Sequence, residues 1–198
     1  MAATATVTEV QPNTISSVTE AANPTVAKMC LAECVGTSVL VLFGCGAVHT
    51  AVLMGAQNGI WQVAIVWGVS IMLAIYMVGA ISGAHINPAV TIAFAVTDDR
   101  NRGAPPTGLA PVFIGLTVAG LISFIAPLTQ ACFNPARDFG PRLFAYFAGW
   151  GSIALPGPRG LGFITVYILA PIVGAVLGAI FYTRLLRHCS TDATGQEL

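Results

Sequence analysis

From Cys34 to Thr97 the chain runs for 64 residues without one Asp, Glu, Lys or Arg. A bilayer core is crossed by about 20 apolar helical residues. The stretch therefore holds more than two crossings. Only α-helices and closed barrels satisfy their backbone groups in lipid. The whole chain agrees: of 198 residues 56% are hydrophobic and 8% charged, and mean hydropathy is +0.80. A soluble domain is about 25% charged. The expectation is an all-α membrane protein with one membrane domain. A formal net charge of +0 argues against nucleic acid as a partner. The cysteines at 30, 34, 45, 132 and 189 have no metal-ligand spacing. They read as small packing residues, Cys132 being the one thiol expected to be exposed. No metal and no cofactor is expected.

Four segments are long enough to span: about 29–48, 60–80, 108–127 and 163–186. Before them, residues 1–27 carry Glu9 and Glu20 but no basic group until Lys28, which fits a disordered tail rather than a signal peptide. The membrane domain is placed at 28–188 and a second tail at 189–198. Gly174 and Gly178, and Gly79 and Gly83, have small-xxx-small spacing and read as helix packing.

Two apolar pieces remain, 88–97 and about 135–148, each opened by Asn-Pro-Ala: Asn87, Pro88, Ala89 and Asn134, Pro135, Ala136. Asn caps a helix and Pro fits its first position. Ten helical residues reach about 15 Å, half of a 30 Å core. Each piece is expected to begin at the midplane and return to the side from which its loop came. Non-helical backbone at that depth is tolerated only where it lines a cavity. The stretches "SGAH" and "LTQAC" are expected to be that backbone.

Lys28, Arg100, Arg102, Arg184, Arg187 and His188 fall on one side if the spans alternate, and the positive-inside rule makes that side cytoplasmic. The two half-helices then enter from opposite faces and meet head to head. Asp98 and Asp99 sit among arginines and read as a solvated turn rather than an acid/base pair. Glu33 lies within the first span, where an ionisable group is either functional or a hydrogen-bonded packing residue.

"SGAHINPAVTIAFA" and "FNPARDFGPRLFAYFAGWG" resemble the two signature loops of the aquaporin, or major intrinsic protein, family. Asp138, after Asn-Pro-Ala-Arg, is similar to the aquaglyceroporin branch. The likeness covers about residues 28–188. It implies that Asn87 and Asn134 donate to a passing water or hydroxyl and that Arg137 is the filter arginine. Trp67, Ile122 and Ala131 would complete the filter. Carbonyls of Gly83, Ala84, His85, Gln130, Ala131 and Cys132 would form a ladder of acceptors, and Glu33 would hold a loop by its backbone. Trp, Ile, Ala and Arg together look more like the plant nodulin-like intrinsic proteins than a strict water channel. The resemblance also implies a homo-oligomer, a tetramer being the family's form.

One departure is large. A half-helix and three spans need roughly 70 residues, yet 47 positions separate Asn87 from Asn134. The family's third and fourth spans are expected to be missing together, which preserves sidedness but removes part of the pore wall. The expected function is passive flow of glycerol, water and similar small neutral solutes across a plasma membrane. The alternative is a shortened family member that does not conduct. An intramembrane enzyme is disfavoured, because no Ser/His pair, HExxH or paired intramembrane Asp is present.

Overall fold

A computed structural model describes residues 24–97 and 108–186. The basic turn at 98–107, with Asp98, Asp99, Arg100 and Arg102, lies outside the described residues, as do most of the N-terminal tail and everything beyond 186. Among the described residues six α-helices follow in chain order. They are α1 (Val26–Met54), α2 (Ile60–Ser82), α3 (Pro88–Thr97), α4 (Ala110–Thr129), α5 (Pro135–Ala145) and α6 (Ala170–Phe181). Wider π-type turns over Ile164–Leu169 and Tyr182–Leu186 extend α6 at both ends. Among the described residues four helices are long and apolar enough to cross a membrane: Val26–Met54, Ile60–Ser82, Ala110–Thr129 and Ile164–Leu185.

Local chemistry sets the helix ends. Thr25 caps α1, its side chain accepting from the Lys28 N–H, so that the helix opens three residues ahead of the predicted span. α1 also continues past His49 to Met54, because no breaker intervenes before Gly55, which closes it at φ 61°. Gly83 closes α2 at φ 85°, a left-handed residue rather than one of a packed glycine pair. The second short helix stops at Ala145. The chain then turns through Tyr146–Trp150, where Gly149 breaks the helix at φ 109°.

α1, α2 and α4 form the core. α1 buries Ala32, Gly36, Leu40, Gly44 and Ala47, close to one residue per turn on a single face. α2 and α4 cross backbone to backbone. A Cβ on Gly68 would stand 2.6 Å from the Gly115 carbonyl oxygen, and one on Gly115 would stand 2.5 Å from that of Gly68. Only glycine fits at either position. α3 packs against α6. The last span is the least covered: 6% of its apolar window is buried, against 44% for α2. The expected glycine packing at Gly174 and Gly178 is not found among the described residues, since a Cβ on either meets nothing there within 4 Å. Their helix touches the bundle mainly along α3, and these glycines lie away from that contact.

Candidate functional site

The two Asn-Pro starts bring α3 and α5 together by their N-termini. Each asparagine works in two directions. Asn87 Oδ1 accepts from the Ala89 N–H (2.9 Å), and Asn134 Oδ1 accepts from the N–H groups of Ala136 (3.0 Å) and Arg137 (3.3 Å). The amide nitrogens cross over: Asn87 Nδ2 donates to the Phe133 carbonyl (3.1 Å) and Asn134 Nδ2 to that of Ile86 (2.7 Å). A carboxamide has two N–H groups. After the crossed bonds, each asparagine keeps one N–H to offer elsewhere.

The loops ahead of the asparagines are strained. Gly83, Ala84 and Ile86 in the first, and Gln130 and Ala131 in the second, have positive φ between 41° and 85°. For residues with a Cβ that conformation costs about 1–2 kcal/mol each, and it persists only where the surroundings hold it. Glu33 holds the first loop. Its carboxylate accepts from Ser82 Oγ (2.6 Å) and from the N–H groups of His85 (2.9 Å) and Ile86 (2.5 Å). Of the two readings of Glu33, the hydrogen-bonding one describes what it does here.

A cavity of about 490 Å³ runs past both loops. Gly83, Ala84, His85, Asn87, Asn134 and Arg137 lie along it, as do Trp67, Ile122 and Ala131. Apolar side chains of α1, α2 and α4 face them: Leu40, Ile71, Ile75, Ile114 and Val118. Sequence reasoning did not single out these five, because an apolar residue facing the cavity has the same composition as one facing lipid. Gln130, Cys132, Glu33, Asp138 and the Pro-Ala pairs Pro88–Ala89 and Pro135–Ala136 are not among the lining residues.

Arg137 lies over the Trp67 ring, with Cζ 4.5 Å from its centroid. Its Nη1 donates to Cys132 Sγ (3.2 Å) and its Nη2 to the Gln130 carbonyl (3.4 Å). This corrects the expectation of an exposed thiol: Cys132 is 4% exposed, tucked between the loop and Phe163 and Tyr167. The thiols that do face outward are Cys30 and Cys34 on α1. His85 stacks on Phe94 at 5.2 Å, and its Nδ1 lies 3.1 Å from Thr91 Oγ1.

Asp138 is buried and points away from the cavity. It accepts from Arg142 Nε at 2.8 Å. Arg142 lies over Phe163 and Tyr167 and donates to the Ala154 carbonyl, and Arg159 donates to the Tyr167 hydroxyl. The network ties α5 to the loop that leads into the last span.

A second, larger hollow of about 1,440 Å³ lies between α1, α3 and α5. Thr37, Val41 and Cys45 line it from α1, Thr91 from α3, and Phe139 and Phe144 from α5. Asn87 lines both hollows, so the groove reaches the cavity at the point where the half-helices meet. Among the described residues no cluster of His, Cys, Asp or Glu can hold a metal ion.

An all-α bundle of apolar spans, closed around two short helices that meet N-terminus to N-terminus, is the aquaporin type of membrane fold. Comparison with known proteins agrees. The family model "Major intrinsic protein" matches residues 20–99 and 93–182. The glycerol uptake facilitator protein of Pseudomonas aeruginosa is 32% identical over 269 residues, covering 90% of this chain and 96% of that one. The glycerol uptake facilitator of Escherichia coli is 30% identical over 253 residues, covering 82% and 90%. The propanediol uptake facilitator of Citrobacter freundii is 30% identical over 253 residues, covering 83% and 94%. The aquaglyceroporin of Plasmodium falciparum superposes with a TM-score of 0.71 at 17% identity, covering 83% of this chain and 98% of that one. The chain belongs to the major intrinsic protein family. The match to the Pseudomonas protein extends over 269 residues, more than the 198 of the whole chain, so that protein has residues that face none here.

Proposed function

We propose that the chain is a passive channel for glycerol, water and similar small neutral solutes. The observation that carries this reading is the two-sided cavity, with polar loop groups on one side and Leu40, Ile71, Ile75 and Val118 on the other. A polyol has hydroxyls to turn to the first and carbons to lay on the second. The free N–H groups of Asn87 and Asn134 donate to a solute oxygen at the centre, where two helix N-termini add positive partial charge. A water held there as acceptor points its own hydrogens away and passes no proton along the line. Carbonyls of Gly83, Ala84 and His85 on one side and of Ala131 on the other take the solute's hydrogens, while Gln130 and Cys132, expected in the same ladder, do not line the cavity. Trp67, Ile122, Ala131 and Arg137 form the constriction. The fixed guanidinium repels cations while its remaining N–H groups bind a neutral hydroxyl. Two kinds of relative, named for uptake of glycerol and of propanediol, support the solute class.

The residues that face none here are the family's third and fourth spans, and the groove beside α1 is the space they leave. Lipid in that groove would lie against Asn87, whose side-chain amide keeps one N–H beyond its bond to the Phe133 carbonyl, and an unpaired polar group in hydrocarbon costs roughly 2–7 kcal/mol. A neighbouring copy therefore covers it, and the conducting form is a homo-oligomer, closed by rotational symmetry as a tetramer. Both termini and the 98–107 turn are cytoplasmic, and the membrane is the plasma membrane. A cysteine at position 101 should resist an impermeant reagent applied from outside; labelling there would overturn the topology.

The deciding experiment is swelling of liposomes that contain the purified chain in a glycerol gradient, at graded numbers of copies per vesicle. Glycerol entry that rises steeply with copy number is expected. No entry at any copy number would overturn the channel reading, and entry at one copy per vesicle would overturn the oligomer.

A further inference from the structure

We infer that Gly44 and Cys132, which do not themselves line the cavity, set its narrowest width by fixing the indole of Trp67 from behind and the guanidinium of Arg137 from the side. The inference rests on the permeation reading above.

Trp67 is 3% exposed, on the face of α2 that meets α1. Opposite it α1 presents Gly44. A Cβ at Gly44 would stand 2.2, 2.3 and 2.4 Å from Cε3, Cζ3 and Cδ2 of the ring. Three consecutive ring atoms at nearly equal distance place that point over the face of the ring, not at its edge. Non-bonded carbons settle at about 3.5–4.0 Å, so even one methyl group must displace the indole by about 1 Å. α1 is not free to retreat, because Glu33 ties it to Ser82 and the first loop. The ring's charged neighbour is Arg137, within the cavity. A displaced indole therefore moves toward the guanidinium and narrows the lane.

Arg137 is steadied by that ring and by two hydrogen bonds, one of them to Cys132 Sγ at 3.2 Å. A thiol sulfur is a weak acceptor. Serine would keep an acceptor at this place, whereas alanine would leave one edge of the guanidinium free. Burial by Phe163 and Tyr167 keeps the sulfur in position. Both residues act through another group, and both are positioning residues.

The test compares water and glycerol permeabilities of liposomes holding the full chain. Gly44→Ala should lower the glycerol-to-water ratio by about 2- to 10-fold, the size that off-rotamer strain on one side chain produces. Adding Trp67→Phe should bring the ratio back, since the smaller ring leaves room for the methyl. A general packing defect would lower both permeabilities together and would not be rescued. Cys132→Ala should weaken discrimination between glycerol and a four-carbon polyol, and Cys132→Ser should retain it. A Gly44→Ala chain that inserts and keeps the parent's ratio overturns the inference, as does Cys132→Ala with unchanged discrimination. A parent chain that passes neither solute removes the permeation reading instead. The packing is then read without transport, in a chain with Trp61→Phe and Trp150→Phe, where Trp67 is the only indole left of three. Gly44→Ala should shift its emission, and unshifted emission overturns the packing.

Discussion

The loop before Asn87 and the loop before Asn134 follow nearly the same path. Counted back from each asparagine, the third and fourth residues are left-handed in both: Gly83 and Ala84 in one, Gln130 and Ala131 in the other. What holds them differs. In the first, Glu33 takes the N–H groups of the two residues before Asn87. In the second, the Phe133 N–H turns back to the Ala131 carbonyl (3.1 Å), and among the described residues no carboxylate accepts from the backbone N–H of Cys132 or Phe133. The second loop is held instead from its side chains, by Arg137 on Cys132 and Gln130 and by Asn134 reaching across to Ile86. The half-helices differ in the same sense. α3 is backed by α6, whereas α5 looks into the groove, with Phe144 75% exposed. One strained backbone can thus be held by a single carboxylate or by a spread of weaker contacts, and the second solution leaves more to whatever lies beside it.

The comparison breaks most sharply at Glu33. Glu33→Ala leaves two backbone N–H groups and the Ser82 hydroxyl without their acceptor, each worth about 1–3 kcal/mol. The predicted loss is roughly 3–9 kcal/mol, seen as a large fall in thermal stability in detergent; a loss below that of any second-loop variant would refute the assigned anchor. Asp138→Asn comes next. It removes the charge opposite the largely buried Arg142 but keeps an oxygen in place, and hydrogen bonds to charged groups are worth about 1.5–3 kcal/mol. Stability should fall by about that much while permeation by whatever remains folded is unchanged, because Asp138 does not line the cavity.

The asparagines sharpen the contrast at a smaller scale. Replacing a cap by alanine costs about 0.5–2 kcal/mol. Asn134→Ala should cost more than Asn87→Ala, because Asn134 caps two N–H groups and is buried, whereas Asn87 caps one. Equal melting shifts for the pair would show that the loops are held alike after all. The smallest effect on stability is expected at Arg137. Arg137→Val should leave the fold within about 1 kcal/mol, as for a partly exposed side chain whose two hydrogen bonds go to a weak sulfur acceptor and to one carbonyl, yet weaken exclusion of protons, read as dissipation of a pH gradient across the liposome. A variant as tight to protons as a conducting parent would move the filter elsewhere.

Much of the architecture could be read before any coordinates. Length and apolarity locate the four spans, because hydrocarbon admits few alternatives to a helix of about 20 residues. Asn followed by Pro marks the starts of α3 and α5, because capping and a preset φ are local properties of those two residues. Span edges were less legible. α1 ends at Met54, six residues beyond the predicted edge, because the polar residues His49 and Thr50 do not interrupt a helix. Gly174 and Gly178 misled for a related reason: their spacing permits close packing, but a partner must also be present.

The contacts that define the cavity belong to the fold alone. Asn134 meets Ile86, Arg137 meets Cys132 and Trp67, and Gly44 backs the indole, and most of these partners stand dozens of residues apart in the chain. Helical periodicity says that a residue lies on a face, not which helix that face will meet. The meeting is settled by backbones that approach only where glycines oppose each other, as at Gly68 and Gly115, and by two loops whose polar groups must find partners in a place without water.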